Sequence, residues 1–377
     1  MSLYLIKNAT VYDIQKKLWS SQDVGICGNS FVNVNANNKN WEIIDGSNKL
    51  LLPGIIDLHN DEIETFFAPK RDVFFSGFDI MDKLMIGYYA NGITSSHIAI
   101  TYSLEPGIRN ESKAYLILQQ IKAYKKFFRF ASSIKVNLRL ELSADWTNIL
   151  KIIDEFRSDI ALVTLCDHSP NNMQKWSVQK FYRYIAGRSK ITAADFYLLL
   201  LNMKKNKEKN IRNVRSLYRE LKERGLVIGL HDICYPIEYD PHIDFGEFPT
   251  NIKIIDYLHK EKKYVVLGTP NIRNGGSINN NISCLEACKL GKCDILCSDY
   301  DRNSVLTSIS KLNPTLDGNF YECYKRISEN PAHLLNVKKG IISPGYDADC
   351  ILINSELTSP RIYKTFVNGE VAYESCF

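Results

Sequence analysis

The sequence predicts an α/β protein in which a (β/α)8 TIM-type barrel is inserted in a small β-sandwich domain built from both termini. Two observations lead to this fold class. Strand-like segments separated by turns occupy residues 1–52 and return over residues 339–377. The middle of the chain, residues 53–338, alternates eight strand candidates with helices, which favours a closed barrel over a doubly wound sheet. A length of 377 residues suits one large barrel with a small appendage.

Both ends of the chain have the composition of β-strands and show no helical period. Turn signals such as Cys27-Gly28-Asn29 and Asp45-Gly46-Ser47 separate the N-terminal strands. Neither end alone holds enough strands for a stable core, so we expect one composite domain, residues 1–52 plus 339–377. The strand candidates are residues 3–14, 24–34, 41–44, 349–354, 361–367 and 370–373.

The predicted barrel domain, residues 53–338, alternates short apolar segments with helices. Apolar residues at helical spacing predict helices over residues 112–128, 211–224 and 250–262. Gly225 follows the second helix at a C-cap position, and Thr250 is placed to cap the third. The strand candidates are residues 54–59, 93–100, 134–142, 160–167, 226–231, 243–248, 264–268 and 294–298.

Composition narrows the class of partner and the compartment. Lys and Arg total 47 against 42 Asp and Glu, a mild excess that does not indicate nucleic acid but accommodates an anionic substrate. The chain shows neither a secretory signal nor a membrane-spanning apolar run, so we expect a cytoplasmic protein with reduced thiols that does not bind membranes. A homo-oligomer is compatible with these features.

The densest group of cysteines lies late in the predicted barrel. Its spacings of four, five and four residues lack the paired Cys-x-x-Cys units of a zinc ribbon. We therefore expect small buried hydrophobic residues here rather than a metal site. The group consists of Cys284, Cys288, Cys293 and Cys297.

Metal-ligand side chains recur where the predicted strands end. His59 and Asp61 are two residues apart, so in a strand they project from the same face, at the end where barrels build active sites. Alone, this pair also fits a buried histidine beside a surface aspartate. Three of the seven histidines in the chain fall at strand ends. Together the strand-end side chains suit two divalent ions, with Zn, Mn, Fe and Ni fitting equally. The set is His59, Asp61, Glu141, His168, His231 and Asp299.

Several longer motifs surround these positions. Pro-Gly-Ile-Ile-Asp-Leu-His-Asn-Asp stands at residues 53–61, and Pro-Asn-Ile-Arg-Asn-Gly-Gly-Ser at 270–277. Shorter ones are Asp-His-Ser-Pro at 167–170, Glu-Phe-Pro-Thr at 247–250 and Ser-Asp-Tyr at 298–300. Over nearly its full length the chain resembles the amidohydrolase superfamily. Within it, the chain resembles the phosphonate-metabolism branch, whose members act in the carbon–phosphorus lyase pathway. Asp61 stands where most superfamily members carry a second His, which points to this branch.

The resemblance implies a metal-dependent diphosphatase that acts on a small phosphorylated molecule. Such proteins hydrolyse α-D-ribose 1-methylphosphonate 5-triphosphate to the 5-phosphate and pyrophosphate. Glu141 would occupy the place of the bridging carboxylated Lys found elsewhere, and Asp299 would also accept the proton of the attacking water. Two alternatives stay open: a deacetylase or deaminase acting on a C–N bond, and a barrel that binds a ligand without catalysis.

A triphosphate needs further cationic and backbone donors. The segment 270–277 offers Arg273, and Gly275, Gly276 and Ser277 bring backbone N–H groups close to phosphate. We expect residues 169–210 to form either a helical lid over the substrate or a surface segment with solvated charges. That segment carries Lys175, Arg183 and Arg188.

Three features of the sequence give weaker or contrary signals. Residues 69–71 and Arg109 are weaker candidates for phosphate binding. His97 reads more readily as a satisfied core residue than as a site residue. Ile233 stands where the branch usually has a second Asp, which leaves the substrate open.

Overall fold

The computed structural model describes residues 2–13, 16–34, 40–170, 176–233, 242–277, 281–316 and 318–376. The N-terminal strands of these ranges are β1 (Leu3–Asp13), β2 (Leu18–Cys27), β3 (Ser30–Val32), β4 (Glu42–Asp45) and β5 (Lys49–Pro53). The next eight strands are β6 (Ile55–Asn60), β7 (Ile93–Tyr102), β8 (Ile134–Glu141), β9 (Ile160–Cys166), β10 (Val227–His231), β11 (Phe245–Glu247), β12 (Tyr264–Gly268) and β13 (Ile295–Cys297). The C-terminal strands are β14 (Cys350–Asn354), β15 (Ile362–Val367) and β16 (Glu370–Glu374).

The α-helices of the described ranges lie mostly between the barrel strands. The first six are α1 (Ile63–Phe67), α2 (Phe78–Ala90), α3 (Glu111–Phe127), α4 (Ile149–Glu155), α5 (Val178–Arg188) and α6 (Ala193–Glu223). The others are α7 (Ile252–Lys260), α8 (Thr269–Asn274), α9 (Cys284–Lys289), α10 (Ser304–Leu312), α11 (Phe320–Tyr324) and α12 (Glu329–Leu335). None of these helices combines the length and the apolar character that crossing a membrane requires.

Strands β6 to β13 form a parallel sheet in sequence order. They correspond to the eight strands predicted from the sequence, and their ends differ by two residues at most. The sheet curls until its first and last strands meet, where the Asp299 amide donates to His59 O at 2.9 Å. The Asp61 amide in turn donates to Asp299 O at 3.1 Å. The eight-stranded parallel barrel is therefore nearly closed, and the closing bonds lie at the predicted metal ligands.

A second sheet joins the two ends of the chain. Its strands run in the order β16-β15-β14-β5-β1-β2-β3, with β4 beside β1. Strand β14 pairs with β5 in antiparallel register, from Cys350 opposite Pro53 to Asn354 opposite Lys49. Strands from both ends therefore share one sheet, as expected. The sandwich arrangement and the exact domain boundaries stay predictions.

The barrel interior is closely packed with apolar side chains. Leu58, Leu162, Phe245 and Val266 lie in one buried cluster inside the barrel. Gly229 on β10 is required by this packing, because a Cβ there would lie 2.2 Å from Cζ of Phe245. The rigid interior fixes where each strand ends, and therefore where its terminal side chains meet.

Two helix predictions need correction. Helix α7 is capped by Asn251, whose side chain accepts from the Ile254 amide at 3.2 Å, so the choice of Thr250 was wrong. Helix α6 is 31 residues long and includes the segment predicted to begin at residue 211. Its real start is capped by Thr192. The polar run before residue 211 hid the helix because it interrupts the apolar spacing while keeping good helix formers.

Candidate metal centre and active-site pocket

The ends of the barrel strands surround a cavity of about 280 Å³. Its lining includes five of the six side chains predicted as metal ligands, and Glu141 lies beside them. His59 lies in β6 and Asp61 directly follows it, and each of the others lies at or just after the end of a different strand. The predicted ligands that line the cavity are His59, Asp61, His168, His231 and Asp299.

Glu247, at the end of β11, lies between two of the histidines. Its Oε1 is 2.8 Å from Nδ1 of His59, and its Oε2 is 2.7 Å from Nδ1 of His231. Burial opposes ionisation of Glu247, but the two imidazoles hold its pKa well below the usual range. Carboxylates that face one ring nitrogen orient the other nitrogen of a metal-binding histidine. Glu247 therefore fits an orienting role, although sequence reasoning placed it only in a motif.

Glu141 has the same relation to His168. Its Oε1 contacts Nδ1 of the imidazole, and its Oε2 accepts the His168 amide at 3.1 Å. Burial alone would raise the pKa of Glu141, but His168 lowers it to about 2. Burial would likewise lower the pKa of His168, and Glu141 reverses that direction. This geometry suits Glu141 to orienting His168, and its bridging role stays a prediction.

Two groups of ligand atoms face the cavity. One atom each from His59, Asp61 and Asp299 lie within 4.8 Å of one another, and the same holds for His168, His231 and Asp232. Both ring nitrogens of His59 are buried and make no hydrogen bond among the described residues; Nδ1 has the Glu247 carboxylate beside it at 2.8 Å, whereas Nε2 has no such contact. A buried nitrogen without a partner, facing carboxylates, fits a divalent ion. The residues present therefore fit the metal chemistry expected from the sequence, without fixing the number or identity of the ions.

Asp232 was not among the predicted ligands. Its Oδ2 lies 3.6 Å from Nε2 of His231 and 3.9 Å from Nε2 of His168. It directly follows β10 with a left-handed backbone at φ 53°, a conformation that Asp tolerates better than most residues. The His-Asp pair was visible in the sequence, but the Ile233 that follows it drew attention instead.

A buried arginine sits among the ligands. Nη2 of Arg139 donates to Nε2 of His231 at 2.9 Å, and its Nη1 lies 3.8 Å from Oδ2 of Asp61. Burial, and then the nearby Arg139 charge, lowers the pKa of His231 to about 4. The imidazole is therefore neutral and carries its proton on Nδ1, which faces Glu247. A signal existed in the sequence, because Arg139 precedes Glu141 by two residues and so shares its face of β8.

Asp299 follows β13 and is held by the barrel closure. Its own backbone is left-handed at φ 54°. Ser298 beside it is fixed by Asp57, which accepts from the Ser298 amide at 2.9 Å and from its hydroxyl at 2.6 Å. Burial, and then the neighbouring Asp61 charge, raises the pKa of Asp299 to about 7. A carboxyl group with such a pKa can accept a proton near neutral pH.

Phe248 closes the wall behind two of the histidines. Its ring packs edge-on against His59 at 5.3 Å and against His231 at 5.2 Å between centroids. It adopts a left-handed backbone at φ 51°, which costs of order 1–3 kcal/mol for a bulky residue and persists only where surrounding structure imposes it. The packing therefore holds both imidazole rings from the apolar side.

The predicted phosphate-binding residues are only partly brought to the cavity. Gly276 and Ser277 line it, whereas Gly275 does not. The Arg273 side chain is 54% exposed and pairs with Asp301, outside the lining. Helix α8 explains this, because its turn directs Arg273 away from the strand ends. Arg183 is exposed on α5 and is not a lining residue, and Lys175 lies outside the described residues.

Three other arginines line the cavity, where Arg273 and Arg183 were expected. Arg109, Arg139 and Arg188 all line the cavity. Glu64 holds two of them, since its Oε1 accepts from Nε of Arg109 at 2.7 Å and its Oε2 from Nη1 of Arg188 at 3.1 Å. Arg109 was a weak candidate from sequence and Arg188 was one of the cations of the segment 169–210, and only the fold shows that they share a wall.

The segment considered as a lid forms part of this wall. Trp176 and Tyr184 line the cavity together with Arg188. The segment has a small core of its own, in which Phe181 of α5 packs near Phe196 of α6. It is therefore more than a solvated excursion, while its movement stays a prediction.

His97 has a structural environment. Its Nδ1 lies 2.9 Å from the backbone O of Asp57 and therefore donates to it. Burial lowers the pKa of His97 to about 4, so the ring is neutral. It does not line the cavity, which agrees with the core role favoured from the sequence.

Comparisons with known proteins agree with this architecture. The amidohydrolase family model matches residues 109–372. An alpha-D-ribose 1-methylphosphonate 5-triphosphate diphosphatase of Escherichia coli is 29% identical over 333 residues, covering 82% of this chain and 85% of that protein. A 5-methylthioadenosine/S-adenosylhomocysteine deaminase of Carboxydothermus hydrogenoformans is 42% identical over 73 residues, which is 18% of this chain and 17% of that protein.

Solved structures extend the fold comparison. A β-aspartyl dipeptidase of Fervidobacterium islandicum, in complex with a β-Asp-Leu dipeptide, superposes with a TM-score of 0.62 at 17% identity. The match covers 99% of this chain and 96% of the dipeptidase. At this identity the likeness concerns the fold. The family match spans more than half of the chain, and this protein therefore belongs to the amidohydrolase family, as a hydrolase of that superfamily.

Proposed function

We propose that this hydrolase is a metal-dependent diphosphatase of phosphonate catabolism. Its substrate would be α-D-ribose 1-methylphosphonate 5-triphosphate, and its products the ribosyl 5-phosphate and pyrophosphate. The similarity to the Escherichia coli protein, which extends over most of both chains, supports this substrate. The proposal also requires a pocket that can hold a polyanion beside the candidate metal ligands.

The observation that carries the proposal is the cationic wall of the cavity. Arg109, Arg139 and Arg188 line it together with the candidate ligands. Each guanidinium has five N–H donors, so the contacts of Glu64 leave donors of Arg109 and Arg188 for a ligand. Guanidinium groups match phosphate oxygens in geometry as well as in charge. A pocket for a neutral amide would not need three such groups.

The side chains around the cavity have distinct tasks in this reaction. Bound divalent ions would supply positive charge that offsets the charge developing on the phosphoryl oxygens. Asp299 accepts the proton of the attacking water at its carboxylate, for which its raised pKa is suited. Its position is fixed by the backbone bonds to His59 and Asp61. Because pyrophosphate leaves, the water attacks the innermost phosphorus.

The alternative is hydrolysis of a C–N bond at the same centre. The matched segment of the Carboxydothermus deaminase favours it locally, over 73 residues. The two reactions ask for different pockets, because an amide or aminopurine presents little negative charge to Arg109 and Arg188. The arginines therefore favour the phosphoric anhydride.

The products test the proposal. Protein reconstituted with Mn²⁺ or Zn²⁺ is incubated with the ribosyl triphosphate, and pyrophosphate and orthophosphate are resolved by phosphorus NMR. We expect one pyrophosphate for each 5-phosphate formed, and none from metal-stripped protein. Release of orthophosphate alone would contradict the proposal. Turnover of N-acyl or aminopurine substrates, with the triphosphate untouched, would establish the alternative.

A further inference from the structure

Three buried cysteines meet at a place that the proposed reaction does not use. Cys284 and Cys288 are one turn apart on α9, and Cys293 follows in the segment before β13. One sulfur from each lies within 4.8 Å of the other two, and all three side chains are almost fully buried. None of them lines the active-site cavity. The sequence led us to expect buried hydrophobic residues here, and burial is what they show.

The mutual contact of three sulfurs goes beyond ordinary core packing. Residues four apart on a helix share a face, so α9 directs the sulfurs of Cys284 and Cys288 the same way. Ligand sulfurs in a tetrahedral zinc site, at Zn–S distances of ~2.3 Å, lie ~3.8 Å from one another. The three sulfurs are thus already within the range of a common ion. Cys297 does not join them, since its thiol donates to Leu267 O at 3.6 Å.

A buried arginine beside the cluster points to negative charge. Arg326 is 9% exposed and forms no ion pair with a carboxylate among the described residues. Its Nε donates to Cys293 O at 3.0 Å, and its Nη1 donates to the carbonyl of Glu322. A buried guanidinium without a counter-charge is costly. Arg326 is therefore placed to offset the negative charge that the neighbouring sulfurs would carry as thiolates.

We propose that Cys284, Cys288 and Cys293 bind one Zn²⁺ ion as thiolates. Three thiolates and Zn²⁺ carry a net charge of −1, which Arg326 offsets.

Zn²⁺ binding would displace the protons of the three thiols to solvent, because cysteine binds the ion as its thiolate. Three protein ligands would leave one tetrahedral position for a neutral water, which keeps the net charge at −1. The site would tie α9 to the segment that leads into β13 and Asp299.

Cobalt spectroscopy of the full chain tests the proposal. Metal-stripped, reduced protein is titrated with Co²⁺, and the sulfur-to-cobalt charge-transfer band is followed in the near ultraviolet. Cys166 is the matched control, because it is a buried thiol beside Glu141 and His168 at the candidate metal centre. We expect wild type and Cys166→Ala to show the band, and Cys288→Ala to lose it. The candidate active-site ligands bind through nitrogen and oxygen. Cys166 is the thiol beside them that could give a sulfur band from the active site, and Cys166→Ala removes it.

Two results would overturn the proposal. One is the absence of a thiolate band in wild type, and the other is a band that Cys166→Ala removes and Cys288→Ala keeps. If Cys288→Ala does not fold, X-ray absorption of zinc-loaded Cys166→Ala protein decides the matter. Sulfur in the first coordination shell supports the cysteine site, and a shell of nitrogen and oxygen alone contradicts it.

Discussion

Replacing Glu247 by Gln should weaken metal binding without disturbing the fold. Both carboxylate oxygens contact an imidazole, at 2.8 Å for His59 and 2.7 Å for His231. A Gln of the same shape has one oxygen and one NH₂ group, so one of the two histidines loses its acceptor. A hydrogen bond to a charged group contributes about 1.5–3 kcal/mol. That corresponds to roughly a 10- to 100-fold loss of affinity, as found for other partners that orient metal-binding histidines.

The assay is competition for Zn²⁺ with a chromophoric chelator, and circular dichroism reports the fold. Glu111→Gln is the control, because the Glu111 carboxylate accepts the Asp145 amide at 2.8 Å and lies outside the cavity lining. We expect its affinity to equal that of wild type. An unchanged zinc affinity in Glu247→Gln, with the fold intact, would refute the orienting role of Glu247.

Three further predictions concern the base, the cationic wall and the core histidine. Asp299→Asn should keep its metal but lose kcat by roughly 10²- to 10⁴-fold, and retained turnover would remove it from the proton-accepting role. Arg188→Met should raise KM for the triphosphate about tenfold with little change in kcat. Arg183→Met, on the same helix but outside the cavity, should leave both unchanged, and equal effects would contradict the wall. His97 has a pKa of about 4 when folded, below its unfolded value, so its contribution is complete above pH ~6.5 and is lost as the pH falls towards 4. In urea unfolding, the free energy of unfolding of wild type should fall by about 3 kcal/mol relative to that of His97→Asn between pH 6.5 and pH 4. Parallel pH profiles of the two proteins would contradict a neutral, buried His97.

Local pattern was sufficient to predict the barrel and most of the ligand positions. His59 and Asp61 could be placed together because the side chains of a strand alternate, and strand ends of parallel sheets share one edge. The same reasoning reached His168, His231 and Asp299. These positions depend only on where each strand ends, which apolar runs indicate within two residues here.

The sequence could not predict which side chains from different strands and helices contact one another across the barrel. Glu141 looks like a metal ligand from spacing alone, but it faces the Nδ1 atom of His168 from the next strand. Glu247, which the sequence placed only in a motif, faces the Nδ1 atoms of His59 and His231. Arg273 lies in a glycine-rich segment suited to phosphate, yet the turn of α8 pairs it with Asp301. Arg109 and Arg188 are 79 residues apart in the chain and meet at Glu64. Such pairings are set by tertiary packing and leave no local signal.

The fate of the water oxygen tests the proposed reaction most directly. The metal-loaded protein hydrolyses the ribosyl triphosphate in water enriched in oxygen-18, and mass spectrometry locates the label. If Asp299 directs water at the innermost phosphorus, the ribosyl 5-phosphate carries one labelled oxygen and the pyrophosphate carries none. Label in the pyrophosphate, or orthophosphate as the labelled product, would contradict this reaction at this site.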